Sequence, residues 1–398
     1  MDKGEKIRVL HISGTRTHPA NKGNAQAIYR LSIEMQKRGW DVDFLYYGNR
    51  TYADLEAMRE FFGEEHFILA PYSDISFRAQ LKKKVRNILD STGITRFVAL
   101  PYSPDELFLW HLAQKVKRMQ KEKHYDVIWF EYFFQSRIIE YLDDKPVTVI
   151  YTHDRFGKRN RIFQKEGKVP EWIYLTTKGE RQALSRADLV AAIQEKEAEY
   201  FEKLLKGTKT KVITTGHLVG ENEGKENEEG CFGFLGARNG TNRAAVEYFT
   251  ENILPSVRKE NCDTKFVVAG AICKSVPDDD KTEKLGIVDD LKDFYDRVSF
   301  VISPLTMGTG LNIKNIEALS YGKPLLTTSV GAKGLEDAKD AIIVCDDPAE
   351  FAHEIMRLSS DKTLRAKMSA AATQFVKRYN AEKSAELKAV EDLVYGRR

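Results

Sequence analysis

The chain has 398 residues, enough for two or three domains that each bury a core. Its 62 Lys and Arg nearly balance 59 Asp and Glu, and a net charge of +3 is too small to argue for nucleic acid as a partner. No window approaches the length of a membrane span, and the opening residues lead into a strand without a charged-then-apolar export signal, so cytoplasmic residence is expected.

Strand and helix candidates alternate along the chain, which predicts layered α/β architecture with parallel sheets. A strand over 7–13 precedes an amphipathic helix over 25–38, which Gly39 ends, and a strand over 42–47 follows. Residues 78–89 interleave Arg and Lys with Leu81, Val85, Ile88 and Leu89 at helical spacing. That pattern fits a solvated helix whose apolar side faces the core, or a helix lying on an anionic membrane. Further strands are expected at 127–130, 147–151, 189–193 and 212–215, with helices over 180–187 and 194–205.

Residues 220–230 are polar and nearly devoid of apolar side chains, which places a linker and domain boundary there. The expected domains are 1–218 and 219–380. The alternation restarts with strands at 232–235, 265–269, 298–302, 325–328 and 341–344, and helices over 243–258 and 310–320. Amphipathic helices over 348–358, 362–378 and 381–395 close the chain. Cys231, Cys262, Cys273 and Cys345 are scattered without metal-ligand spacing and are read as reduced, mostly buried residues.

The most informative stretch runs from Pro304 to Leu319, reading PLTMGTGLNIKNIEAL, with Tyr321-Gly322-Lys323-Pro324 after it. An apolar strand breaks at a glycine loop and restarts as a helix from about Gly310. Such a junction aims free backbone N–H groups and the positive helix end at one spot, which suits a phosphate. Lys314 and Glu317 are three apart and share a helix face. A diphosphate at the helix start would bring an attached ribose or sugar near the Glu317 carboxylate. Spacing alone equally allows an ordinary surface Lys–Glu pair. The glycine pattern matches neither the dinucleotide fingerprint, since Ile313 stands where a third glycine belongs, nor the Walker loop.

This segment resembles the donor-site motif of retaining GT-B glycosyltransferases of family 4, the glycogen-synthase-like group. Gly286 to Leu291 resembles that family's base-binding turn, and Phe232 to Gly236 with Asn242 and Pro255 its first nucleotide-domain strand and helix. Leu325 to Leu335 resembles the strand and loop after the donor helix. The resemblance implies two Rossmann-like, doubly wound domains facing a central cleft, with the last helix, 381–398, packing back on the first domain. It implies donor contacts from Gly23, Gly236, Val288, Thr309, Gly310, Leu311, Asn312 and Glu317, the last on the ribose.

Two departures stand out. Ala237 and Asn242 occupy the positions of the family's Arg and Lys, leaving Arg238, one position away, or Lys314, the closest guaranteed positive charge, to stabilise the departing diphosphate. Thr309 stands eight before Glu317, where the family carries its other glutamate. On the acceptor side, His153 and Asp154 follow a strand end, where ligands of open α/β sheets gather. They resemble the family's His-bearing segment. His153 would then bond a sugar hydroxyl, and Asp154, Arg155 and Lys158 the acceptor; a lone His there is as readily structural. Asp289 and Asp290 read as helix caps.

The sequence reading is a retaining hexosyltransferase moving sugar from a UDP or GDP donor to a glycan or lipid-linked acceptor, without metal or other cofactor and without nucleic acid. A nucleotide-sugar epimerase of the same shape and a catalytically silent nucleotide-sugar-binding subunit remain the alternatives.

Overall fold

The structure is a computed structural model that describes residues 6–20, 23–70, 76–98, 100–165, 167, 169–170, 172–222, 229–260, 264–288, 290–308 and 311–398. Thr309, Gly310, Asp289 and Cys262, together with most of the expected linker, lie outside them. The chain divides into two units, one running to Gly216 and including Ser384–Arg398, the other His217–Lys383.

Among the described residues the first unit holds seven strands: β1 (Arg8–Ser13), β2 (Asp41–Tyr46), β3 (Phe67–Leu69), β4 (Val127–Glu131), β5 (Val147–Tyr151), β6 (Leu189–Ala192) and β7 (Lys211–Thr214). Its helices begin with α1 (Gly23–Lys37), α2 (Leu55–Phe62), α3 (Phe77–Ser91) and α4 (Trp110–Lys123). They continue with α5 (Asn160–Lys165), α6 (Thr177–Leu184) and α7 (Glu195–Leu205). The strands form one parallel sheet in the order β3-β2-β1-β4-β5-β6-β7. Every residue of β4 and β5 is buried, because helices cover both faces of a parallel sheet and polar side chains have no wet side to occupy.

The second unit holds β8 (Phe232–Leu235), β9 (Phe266–Ala269), β10 (Thr282–Gly286), β11 (Phe300–Ser303), β12 (Leu325–Thr327) and β13 (Ile342–Val344). They form a parallel sheet ordered β10-β9-β8-β11-β12-β13. Around it lie α8 (Gly240–Asn252), α9 (Leu254–Lys259), α10 (Lys292–Tyr295), α11 (Ile313–Ser320), α12 (Pro348–Ser360) and α13 (Lys362–Glu386). Phe232, Phe249, Phe266 and Phe300 pack ring against ring in its core. Gly233 is required there, since a Cβ would stand 2.6 Å from Val298 and 2.8 Å from the Phe294 ring. The last helix, α14 (Lys388–Arg397), buries Val390 and Val394, and its Glu391 accepts from Arg38 at 2.9 Å and from the Trp40 indole at 3.3 Å.

In both sheets the chain order reverses once, between β1 and β4 in the first and between β8 and β11 in the second. At such a reversal the two connecting loops leave in opposite directions and open a crevice at the carboxyl ends of the strands.

Three expectations are corrected. The helix expected from about Gly310 begins at Ile313, with Asn312 extended at its N-cap, so its first free amides lie three residues later than spacing suggests. β3 and β10 were not foreseen. The first is three residues long, and the second is a half-exposed edge strand with polar Thr282, Glu283 and Lys284, so neither carries an apolar period. Finally, α3 does not turn its apolar side to the core. Leu81, Val85 and Ile88 are exposed together with Phe77, while Ala79 and Arg86 are the buried positions.

Candidate active site

In the second unit, the reversal between β8 and β11 brings two loops together. The first leaves β8 through Gly236, where a Cβ would crowd the Asn242 amide nitrogen at 2.9 Å. Asn239 caps α8 by accepting from the Asn242 N–H at 2.8 Å, and the Asn242 side chain donates to the Ala237 carbonyl at 2.7 Å. That leaves the Asn242 Oδ1 to receive the Lys314 ammonium at 2.5 Å. The ammonium also lies over the Phe234 ring, 4.4 Å from its centroid. Asn242, standing where the resembling family has a lysine, thus holds a lysine that comes from the other side of the crevice.

This setting changes Lys314. Burial against Phe234 pushes its pKa down to about 7, against the pull of Glu317. Its charge near neutral pH is therefore not guaranteed, contrary to the sequence reading. Glu317 is half-buried and accepts from the Tyr295 hydroxyl at 3.4 Å, and Tyr295 stacks on Tyr321 at 4.2 Å. Burial and the Glu317 charge hold that Tyr295 hydroxyl protonated.

α11 is seated from behind. Asn315 is fully buried and donates to the Gly331 carbonyl at 2.8 Å. Gly331 tolerates no side chain, since a Cβ would meet the Thr327 hydroxyl at 2.1 Å. Thr327 and Thr328 donate to the carbonyls of Ser303 and Leu305 at 2.8 and 2.6 Å, and Lys333 to that of Gly308 at 3.1 Å. The loop after β12 thus braces the loop after β11, which explains why the sequence of both is rich in Gly and Thr.

Leu311 is buried and Asn312 half-buried beside the helix start, and Val288 is half-buried beyond β10 while its neighbour Ile287 is exposed. Thr309 and Gly310 fall outside the described residues. Arg238 is exposed, and its Nε donates to Ser275 at 3.2 Å. The structure thus brings Asn242, not Arg238, to Lys314. Asp290 accepts from the Lys292 N–H at 2.9 Å, a local capping bond.

In the first unit, Gly23 opens α1 and the next residue, Asn24, donates to the Tyr132 hydroxyl at 3.2 Å. Glu131, which ends β4 at the reversal, is fully buried between two histidines. His11 of β1 meets one carboxylate oxygen at 2.5 Å, and His153 Nε2 bonds the other. Although burial raises a carboxyl pKa, the charge of His153 and the bonds from both imidazoles hold Glu131 at about 2. Glu131 thereby fixes the His153 ring, which lies between Tyr151 and Tyr132 at 4.2 and 4.5 Å. Sequence reading found His153 but missed Glu131 and His11; a carboxylate ending an otherwise apolar buried strand was the available signal.

Asp154 pairs with Arg159 and accepts from the Arg155 N–H at 2.8 Å. Arg155 lies over the Tyr200 ring at 3.8 Å, and Lys158 is exposed. Behind them Glu180 accepts from the Phe156 N–H at 2.7 Å and from the Tyr200 hydroxyl at 2.6 Å. Glu197, buried nearby, has its pKa raised to about 7 by burial, with the Glu180 charge adding to the shift.

Two sequence families divide the chain. Residues 22–217 match the model described as Glycosyltransferase Family 4, and residues 229–361 the one described as Glycosyl transferases group 1. Among solved structures, sucrose-phosphate synthase from Thermosynechococcus elongatus superposes with a TM-score of 0.67 at 13% identity, over 99% of this chain and 100% of that one. A mutant of TarM from S. aureus, crystallised with fondaparinux, α-GlcNAc-glycerol and UDP, gives 0.67 at 12% identity, over 96% and 99%. At these identities the likeness is one of fold. An uncharacterized 44.6 kDa protein in the cps region of Klebsiella pneumoniae is 24% identical over 134 residues, which is 30% of this chain and 34% of that relative's length. Both halves are therefore glycosyltransferase domains, and their fold is GT-B.

Proposed function

We propose that the protein is a retaining hexosyltransferase of family 4 that moves a sugar from a UDP or GDP donor to a glycan or lipid-linked acceptor. The observation that carries this reading is the Lys314–Asn242 contact at the strand-order reversal, with Glu317 on the same helix face. Free amides at the start of α11 and the Lys314 ammonium receive the diphosphate. Glu317, steadied by Tyr295, accepts the ribose hydroxyls. As negative charge grows on the departing diphosphate, Lys314 holds its proton more firmly, so its stabilisation is strongest at the transition state. Arg238 has no part in this step. In the first unit His153, oriented by Glu131, bonds a sugar hydroxyl, and Asp154, Arg155 and Lys158 meet the acceptor. The reading assigns no metal and no other cofactor.

The exposed stripe of α3 extends the reading to a membrane surface, where a lipid-linked acceptor resides. Phe77, Leu81, Val85 and Ile88 stand in solvent beside exposed Lys82, Lys83 and Lys84. The helix is seated instead by Arg86, which forks onto Glu106 at 2.7 and 3.1 Å and lies over Tyr102 at 3.6 Å.

Labelled UDP- and GDP-sugars separate the rival activities. Slow donor hydrolysis is expected; interconversion of sugars would indicate an epimerase, and tight binding without turnover a silent subunit. A hydrogen bond to a charged group contributes about 1.5–3 kcal/mol. Glu317→Ala is therefore expected to raise the donor Kd roughly 10- to 100-fold, and an unchanged Kd removes the ribose assignment.

A further inference from the structure

Five non-glycine residues among those described have left-handed backbone: His124, Tyr132, His153, Lys158 and Trp172. His124 merely closes α4. Of the other four, Tyr132 and His153 follow the ends of β4 and β5, and Lys158 and Trp172 lie in the segment between β5 and α6. Tyr132 packs against His153 at 4.5 Å and against Trp172 at 5.6 Å, and Lys158 donates its N–H to the carbonyl of Leu175, three residues after Trp172. Such conformations cost of order 1–3 kcal/mol each and persist where the surroundings enforce them, commonly at ligand sites.

What they present is an aromatic platform. Trp172 is 49% exposed, yet its ring is pinned by Tyr132, Phe134 and Phe156 at 5.6, 6.2 and 5.3 Å, in edge-on or tilted contacts. The Arg159 guanidinium lies over the indole ring, 5.6 Å from its centroid, and is paired with Asp154. A carboxylate and a guanidinium side by side offer the acceptor and donor that vicinal hydroxyls require. His153 Nδ1, beside the Tyr132 ring, is buried without a partner among the described residues. A half-exposed indole with polar groups of both kinds against it matches one ligand class closely: a pyranose, with C–H bonds on its faces and hydroxyls on its rim.

We propose that Trp172 is a stacking platform for a pyranose ring of the acceptor saccharide, with the Asp154–Arg159 pair taking its rim hydroxyls. The acceptor is then a glycan or the glycan part of a glycolipid. This assignment of the saccharide as acceptor rests on the transferase reading above.

The test is saturation-transfer NMR of the full chain with N,N′-diacetylchitobiose, cellobiose and lactose as probes. At least one is expected to bind. Trp172→Ala should weaken it about tenfold, the equivalent of about 1.4 kcal/mol, and Trp172→Phe should restore part of the loss. Trp110, equally exposed at 49%, is the control, and Trp110→Ala should bind as the wild type does. Binding by none of the probes, equal binding by Trp172→Ala, or equal loss in Trp110→Ala overturns the platform. So does quenching of Trp172 by brominated-lipid vesicles with no saccharide signal. UDP binding, measured on the same samples, keeps the two readings apart. Saccharide binding lost in Trp172→Ala supports the platform even where UDP fails to bind, a result that would count against the donor site alone.

Discussion

Lys314 and Glu131 show how side chains of ordinary type acquire unusual chemistry from their surroundings. An ammonium pressed against Phe234 and satisfied by one amide oxygen is easily neutralised, whereas a carboxylate between two imidazoles resists protonation. Glu197 is the opposite case. Its folded pKa of about 7 lies above the ordinary 4.5, so its contribution to stability is complete below about pH 4.5 and is lost as pH rises through about 7. Glu197→Gln is therefore expected to stabilise the protein above about pH 7, by up to about 3 kcal/mol at 1.36 kcal/mol per pKa unit. Urea unfolding at about pH 5 and about pH 8 reads this directly: little difference at the lower pH and a clear gain at the higher. Equal stability at the higher pH would show that Glu197 titrates normally. Residues such as Lys314 and Glu317 were legible because they share one helix, and helical spacing is visible in sequence. Glu131 with its two histidines was not. His11 lies 120 positions from it, and only the pairing of β1 with β4 and of β4 with β5 joins the three.

At the level of elements, most strands were legible because buried parallel strands are continuous apolar runs. The elements that were misread obey other forces. α11 starts late because Asn312 stays extended, held by no side-chain cap. α3 is amphipathic in the ordinary way but is seated by an ion pair, so its apolar stripe faces outward. That orientation carries a prediction. Replacing Leu81, Val85 and Ile88 together by Ser removes apolar area that contributes about 25 cal/mol per Å² on insertion. Sedimentation with vesicles containing anionic phosphatidylglycerol is expected to pellet the wild type and to lose most of the bound fraction in the triple variant. High salt should weaken binding, since the flanking lysines act through screened charge. Equal sedimentation of the two proteins would contradict the membrane reading of this helix.

At the level of the molecule, two parallel sheets each place one crevice where strand order reverses, and the candidate groups gather at both. At the second of these, inside the span that matches the group 1 glycosyl transferases, Lys314 reaches Asn242. Burial pushes the Lys314 pKa down to about 7, so on the proposed reading a diphosphate bound beside it draws a proton onto the amine. Calorimetry of UDP-glucose and GDP-mannose binding at about pH 8, in buffers of differing ionisation enthalpy, measures that proton. The account predicts uptake approaching one proton with at least one donor, and weaker binding without uptake in Lys314→Gln. Binding with no proton uptake by the wild type, or uptake that persists in Lys314→Gln, would contradict it.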